Sequence, residues 1–143
     1  MGTQKIVCKI YKEVKNSPAR RLYITAYKVL YGLPNNRKID FTEFDEGTKY
    51  IVASIEDKPV GIIAYIKERD EDITYVNMVY TLTRYRKKGI MRSMFKHLLR
   101  RNKILEWNAA SSAIPAYEKI GAKRKKRDGL SFTMEKFDFI NKK

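Results

Sequence analysis

The stretch from Ile73 to Arg101 (ITYVNMVYTLTRYRKKGIMRSMFKHLLRR) constrains the chain most. Residues Ile73 to Thr83 are rich in β-branched and aromatic side chains and read as a strand. From Ile90 onward, Met91, Met94, Phe95, Leu98 and Leu99 recur at helical spacing and mark one apolar face that needs a sheet beneath it. Arg92, Ser93, Lys96, His97, Arg100 and Arg101 fall elsewhere on that helix. Between the two elements lies a basic turn bearing Gly89. A strand that runs through a glycine turn into a helix makes an anion site, because the first-turn N–H groups lack intrahelical partners and point outward at the positive end of the helix dipole.

The other elements follow from local signals. Lys5 to Val14 alternates apolar residues with lysines and predicts a first strand. Asn16-Ser17-Pro18 predicts a capped helix start, with Leu22, Ala26, Val29 and Leu30 at helical spacing and Gly32 and Pro34 as its stop. Asn35 to Gly47 reads as a polar loop with a short helical turn, bordering a substrate cleft. Lys49 to Ile55 and Pro59 to Ile66 are β-rich runs joined by Glu56-Asp57-Lys58 as a hairpin, and Glu68 to Asp72 turns the chain into the Ile73 strand. Ile104 to Trp107 predicts a short strand, Ser111 or Ser112 a capped short helix through Lys119 with Gly121 as its stop, and Asp128-Gly129 a tight hairpin between Ala122–Arg127 and Leu130–Phe137. The order β-α-β-β-β-α-β-α-β-β predicts an α/β (α+β) fold, one domain over residues 1–143 with helices around a single mixed, mostly antiparallel sheet.

Charge and cysteine usage narrow the setting. The net charge is +15, yet between Asp40 and Asp72 ten acids stand against four bases. Arg84 to Lys103 holds nine Lys or Arg and no acid, and Lys123 to Arg127 is five bases in a row. Such a field hastens encounter with anions without choosing among them. One Cys and one His make a metal site from those ligands, or a Cys-His nucleophile pair, implausible. No apolar run approaches the ~20 residues that span a bilayer. A cytoplasmic protein with no membrane partner is expected, monomeric or homodimeric.

Two motifs then resemble a known family. Tyr85-Arg86-Lys87-Lys88-Gly89-Ile90-Met91 resembles the cofactor loop of the GNAT N-acetyltransferase superfamily, whose pattern is Arg or Gln, two residues, Gly, one residue, then Gly or Ala. Ala116-Tyr117-Glu118-Lys119-Ile120-Gly121-Ala122 resembles its second signature, a Tyr four residues before a Gly at the end of a short helix. The resemblance implies acetyl-CoA as co-substrate, bound where the Ile73 strand splays from the Ile104 strand. It implies that Arg86 and the N–H groups of Lys87, Lys88, Gly89, Ile90, Met91, Arg92 and Ser93 hold the pyrophosphate, and that the edge of Thr81, Leu82 and Thr83 pairs with the pantetheine amides. The chain departs from the pattern at three places: Met91 replaces Gly or Ala, Lys87 replaces a frequent Gly, and the family asparagine falls at Ala110, with Asn108 the nearest substitute.

The implied reaction is direct attack of a primary amine on acetyl-CoA in a ternary complex, the amine being carried by a protein, a small molecule or an RNA. Tyr117 is the candidate acid for the departing thiolate, at the characteristic offset from Gly121. Deprotonating a lysine-like amine costs about 4 to 5 kcal/mol at pH 7, so a base would help. The family's Glu position is Tyr75 here, and Glu43, Glu46 and Glu68 are left as alternatives. His97 reads as a surface residue and Trp107 as core. The rival readings are a basic nucleic-acid-binding protein, for which no RNA or DNA module signature is legible, and a non-catalytic CoA-binding or interaction domain. Arg100, Arg101 and Lys103 lie two turns or more beyond the loop, where an anionic partner such as RNA or an acidic protein is expected instead.

Overall fold

In the computed structural model, which describes residues 5–36, 38, 47–67, 72–109, 111–125 and 130–135, the β-rich runs become β1 (Ile6–Tyr11), β2 (Lys49–Ile55), β3 (Lys58–Lys67), β4 (Ile73–Thr81), β5 (Ile104–Asn108), β6 (Lys123–Arg124) and β7 (Ser131–Glu135). Three helices interleave with them: α1 (Arg20–Tyr31), α2 (Ile90–Leu99) and α3 (Ile114–Lys119). The strands form one sheet in the order β1-β2-β3-β4-β5-β7-β6. Every pairing is antiparallel except β4 with β5. The element order is the one expected, and the sheet is mostly antiparallel with helices on both faces. Among the described residues no helix is long and apolar enough to cross a membrane.

Burial explains the layering. In β2 and β3 consecutive residues are buried on both faces, as happens where helices cover both sides of a sheet. One face packs α2 through Ile90, Met94, Phe95, Leu98 and Leu99 onto Ile51, Ala53, Ile63, Val76 and Leu105. The other packs α1 through Leu22, Tyr23 and Ala26 onto Tyr50, Val52, Ile62, Met78 and Tyr80. At Gly61 on β3 α2 packs tightly: a Cβ there would stand 2.6 Å from Ile90 Cγ2 and 3.0 Å from Met94 Cε. At the far end of α2 a buried polar clasp holds helix to sheet. Thr74 Oγ1 donates to Asn102 Oδ1 (2.8 Å), and Asn102 Nδ2 donates to the Leu98 carbonyl (2.8 Å).

Several boundaries differ from the sequence reading for local reasons. β1 stops at Tyr11, and Val14 is buried and accepts from the Ser17 amide and hydroxyl. Ser17 does not cap α1: its oxygen takes the Ala19 N–H (3.2 Å) in the turn before the helix, which starts at Arg20 behind an uncapped Ala19. Gly32 ends that helix in the left-handed region (φ 63°), with the Leu33 N–H returning to the Lys28 carbonyl (2.9 Å). Glu56 and Asp57 (φ 51° and 65°) are a two-residue turn of the type that matches strand twist. β4 ends at Thr81 rather than Thr83, because Thr83–Tyr85 winds into a 3₁₀ turn. Ser111 and Ser112 likewise sit in a 3₁₀ turn, and the α3 cap position is Ala113 with no side-chain cap bond. The Asp128-Gly129 turn and most of the Asn35–Gly47 loop lie outside the described residues.

Candidate active site

The site begins with a fault in β4. Ala64 on β3 faces Met78 and Tyr65 faces Val76, so Asn77 is the extra residue of a β-bulge. A bulge bends its strand and sharpens the local twist. On the other side of β4 the parallel ladder with β5 holds from Ile73–Ile104 to Val76–Trp107 and stops there. Beyond that point β4 runs on to Thr81 while β5 ends at Asn108, which leaves a notch along the unpaired edge of β4 with the bulge and Trp107 at its apex.

Hydrogen-bond alternation shows what β4 offers to the notch. The Leu82 N–H donates to the Val60 carbonyl (2.9 Å), which makes Leu82, Tyr80 and Met78 the residues bonded to β3. The backbone groups that face the notch therefore belong to Val79 and Thr81. Of the three residues expected at this edge, Thr81 presents its backbone, the Leu82 amide is committed to β3, and Thr83 begins the exposed 3₁₀ turn, its carbonyl taking the Arg86 N–H (3.3 Å).

The loop from Arg86 to Gly89 is built to bring amides to the notch's edge. Arg86 Nε donates to the Thr81 carbonyl (3.0 Å), and its guanidinium lies 5.7 Å from the Tyr80 ring centroid. The signature arginine thus latches the turn onto the strand end. Lys87 (φ 63°) and Gly89 (φ 84°) both adopt left-handed backbone, so the family's frequent glycine at the first of these meets a conformational need that a lysine satisfies at a cost of about 1 to 2 kcal/mol. Lys58 and Lys88 place their ammonium groups 5.5 and 5.6 Å from the Tyr85 ring. The first intrahelical bond of α2 runs from the Ser93 N–H to the Gly89 carbonyl (3.0 Å). The amides from Ile90 to Arg92 precede that bond and point out of the helix end, whereas Ser93 has only its hydroxyl to offer. Ile90 is buried on β3 and Met91 packs toward the α2-side core, so the methionine in place of a small residue turns its side chain inward. A Cβ on Gly89 would meet no atom within 4 Å, which leaves open ground before the amides. Exposed bases, outward amides and vacant space suit a pyrophosphate.

α3 brings Tyr117 beneath the apex. The Ala122 N–H returns to the Tyr117 carbonyl (3.1 Å) around Gly121 (φ 104°), which explains the Tyr–Gly offset as the closing turn of a short helix. The Tyr117 ring lies 5.3 Å from Trp107, 5.6 Å from Phe132 and 6.1 Å from Phe95. Burial pushes its phenol up to about 12, so the hydroxyl stays protonated well above neutral pH.

The opposite side of the apex holds residues that the sequence did not single out. Val76 on β4 and Leu105 and Trp107 on β5 face α2. Side chains alternate along a strand, so Tyr75 and Glu106 face the α1 side, and they stand in register across the parallel ladder. Glu106 accepts from Lys125 Nζ (2.8 Å) and is otherwise largely shielded, its side chain 18% exposed. The signal for Glu106 was its pairing with Tyr75, which only the register reveals. Asn108 accepts from the Ser131 hydroxyl (2.7 Å) at the exposed end of β5. Glu43, Glu46 and Glu68 lie outside the described residues.

Known proteins share this architecture. Gcn5 of Tetrahymena superposes with a TM-score of 0.72 at 14% identity, over 95% of this chain and 99% of that one. A GNAT-family acetyltransferase of Staphylococcus aureus gives 0.68 at 14% identity, over 92% and 99%. An IAA acetyltransferase of Bacillus cereus gives 0.67 at 14% identity, over 92% and 99%. No curated protein matches the chain by sequence. The model of the acetyltransferase (GNAT) family matches residues 16–122, which takes in α1, the bulged strand, the Arg86–Gly89 loop and Tyr117. The chain belongs to the GNAT acetyltransferase family, and the protein is an acyltransferase.

Proposed function

We propose that the protein transfers an acetyl group from acetyl-CoA to a primary amine by direct attack in a ternary complex. The observation that carries this reading is the notch itself: a β4–β5 ladder that stops at Val76–Trp107 beside the outward amides of α2, with Tyr117 on one side of the apex and Glu106 on the other. Acetyl-CoA supplies a thioester whose acyl carbon can accept an amine nitrogen while its sulfur leaves as a thiolate.

The chain's own groups have separate tasks. Lys88, Gly89, Ile90 and Met91 bind phosphate oxygens through N–H groups, with the Lys87, Lys88 and Arg92 charges adjacent, and Arg86 keeps the turn in place through Thr81. Backbone groups of Val79 and the Thr81 N–H orient the pantetheine arm. Tyr117 Oη gives its proton to the departing sulfur, and Glu106 takes the proton of the incoming ammonium from the α1 side. Orientation supplies much of the acceleration, up to about 7 to 11 kcal/mol in favourable cases, so no covalent enzyme intermediate is invoked.

The test couples binding to turnover. Acetyl-CoA should raise the melting temperature in proportion to the logarithm of its concentration above Kd, and thiol release should require an added amine. Glu106→Gln should lower turnover most at low pH, where the amine is charged, and leave the acetyl-CoA shift intact. No melting shift at millimolar acetyl-CoA would overturn the coenzyme reading, and a turnover profile unchanged by Glu106→Gln would remove Glu106 from it.

A further inference from the structure

Trp107 carries a polar atom that the fold leaves unused. Its indole Nε1 is buried and, among the described residues, has no hydrogen-bond acceptor, although the residue itself is only 5% exposed. The ring is held on three sides, 5.0 Å from Phe95, 5.3 Å from Tyr117 and 5.9 Å from Phe132, so it cannot easily turn the N–H toward water. Buried indole donors are ordinarily partnered, because desolvating an N–H without an acceptor is unfavourable. A phenylalanine would fill most of the same aromatic cluster without that penalty.

The residue that carries the orphan donor sits at the inner end of the notch. Trp107 is the last β5 residue paired with β4, opposite Val76 and next to the bulge at Asn77, so it stands where the notch narrows to its end. Its ring packs on the ring of Tyr117, the residue placed to protonate a departing sulfur. An acceptor entering along the notch reaches this point at the reacting end of the coenzyme rather than at its nucleotide end, which belongs to the Arg86–Gly89 loop.

We propose that the Trp107 indole N–H is a hydrogen-bond donor to a carbonyl of the coenzyme's acylated pantetheine arm, and so senses the arm rather than the nucleotide. This inference rests on the coenzyme reading above. The donor is buried, so the aromatic cluster has to open slightly to admit an acceptor, and the surrounding rings then hold that acceptor in one orientation.

The protein contains one tryptophan, so a ¹H–¹⁵N spectrum of the labelled full chain shows one indole cross-peak. Titration with CoA or acetyl-CoA should move that peak downfield and slow its exchange with water, while 3′,5′-ADP, which has the nucleotide and no arm, should shift the Gly89 amide and leave the indole in place. Trp107→Phe should weaken CoA about fivefold, the worth of one ordinary hydrogen bond, and leave the 3′,5′-ADP affinity unchanged. The proposal is overturned if CoA moves the Gly89 amide without moving the indole, or if Trp107→Phe weakens CoA and 3′,5′-ADP alike or neither. If neither ligand moves Gly89, the coenzyme reading itself fails and takes this inference with it. The wild-type titration stands even where the variant does not fold.

Discussion

Replacing Gly61 by alanine probes the contact that positions the anion cradle. The added methyl would lie 2.6 Å from Ile90 Cγ2, 3.0 Å from Met94 Cε and 3.3 Å from Met94 Sδ. Carbon atoms in comfortable contact are ~3.5 to 4.0 Å apart, so the clash with Ile90 amounts to about 1 Å. Met94 ends in a flexible thioether that can swing aside at little cost. Ile90 cannot do the same. It is β-branched, buried, and the first residue of α2, so a change in its side chain pulls on the amide that opens the helix.

Overpacking of this kind costs roughly 1 to 3 kcal/mol. For a domain of this size that is a fall of about 3 to 10 °C in melting temperature. The same displacement should weaken CoA, because the Ile90 and Met91 amides move with the helix end, and the loss should persist when Tyr117 is unaltered. A cycle with Ile90→Ala separates the contact from general damage. Ile90→Ala removes Cγ2, so the double variant should be less destabilised than the two single variants added together. Thermal unfolding and calorimetric titration of CoA provide both readouts. Strict additivity, or a Gly61→Ala protein with unchanged melting temperature and CoA affinity, would refute the claim that β3 sets the height of α2.

Three further outcomes follow from particular residues. Lys87→Gly should raise stability slightly or leave it unchanged, since relief of φ 63° is worth about 1 to 2 kcal/mol against roughly 0.5 to 1 kcal/mol of added freedom in the unfolded chain, while CoA affinity becomes less salt-sensitive through the lost charge. Asn102→Ala should lower stability by about 1 to 3 kcal/mol in denaturant melts, because it strands the buried Thr74 hydroxyl and takes one of its donors from the Leu98 carbonyl, which keeps the Arg101 N–H. Tyr117 should add an alkaline limb to stability. Its phenol titrates near the ordinary 10 when unfolded and near about 12 when folded, so the contribution is complete below pH 10 and is lost between pH 10 and 12. Melts across that range should show the excess loss in the wild type and its absence in Tyr117→Phe.

What the sequence disclosed and what it hid have different physical origins. The strand, turn and helix around Gly89 were legible because each rests on local rules: β-branched density, a glycine at positive φ, and apolar residues one turn apart. Tyr117 was legible for the same reason, since its offset from Gly121 is the length of a helix-closing turn. Asn77, Glu106 and the indole of Trp107 were not. An extra residue in one strand is defined only against its neighbour, and the facing of Tyr75 and Glu106 exists only once β4 and β5 have a register. Ser17 illustrates a different miss. Its hydroxyl had a competing local partner in Val14, so it bridged the turn before α1 instead of capping the helix.

The two ends of α2 use the same residue types to opposite effect. At the C-terminal end, Lys96 lies in the last turn with Arg100 and Arg101 just beyond, where positive charge complements the negative end of the helix dipole and is worth about 0.3 to 1 kcal/mol. Burial, with Arg100 and Arg101 adding to it, holds the His97 imidazole below its usual range, which favours its neutral form. These charges have a structural use. At the N-terminal end, Arg86, Lys87 and Lys88 are exposed, no acid stands in the first turn, and the dipole adds to their field instead of opposing it. Nothing in helix stability favours three bases there, and one of them tolerates a left-handed backbone besides. An arrangement unfavourable to the helix on two counts is intelligible once an anion sits against it, and so the loop, rather than the larger number of bases elsewhere, marks where the coenzyme's phosphates are expected.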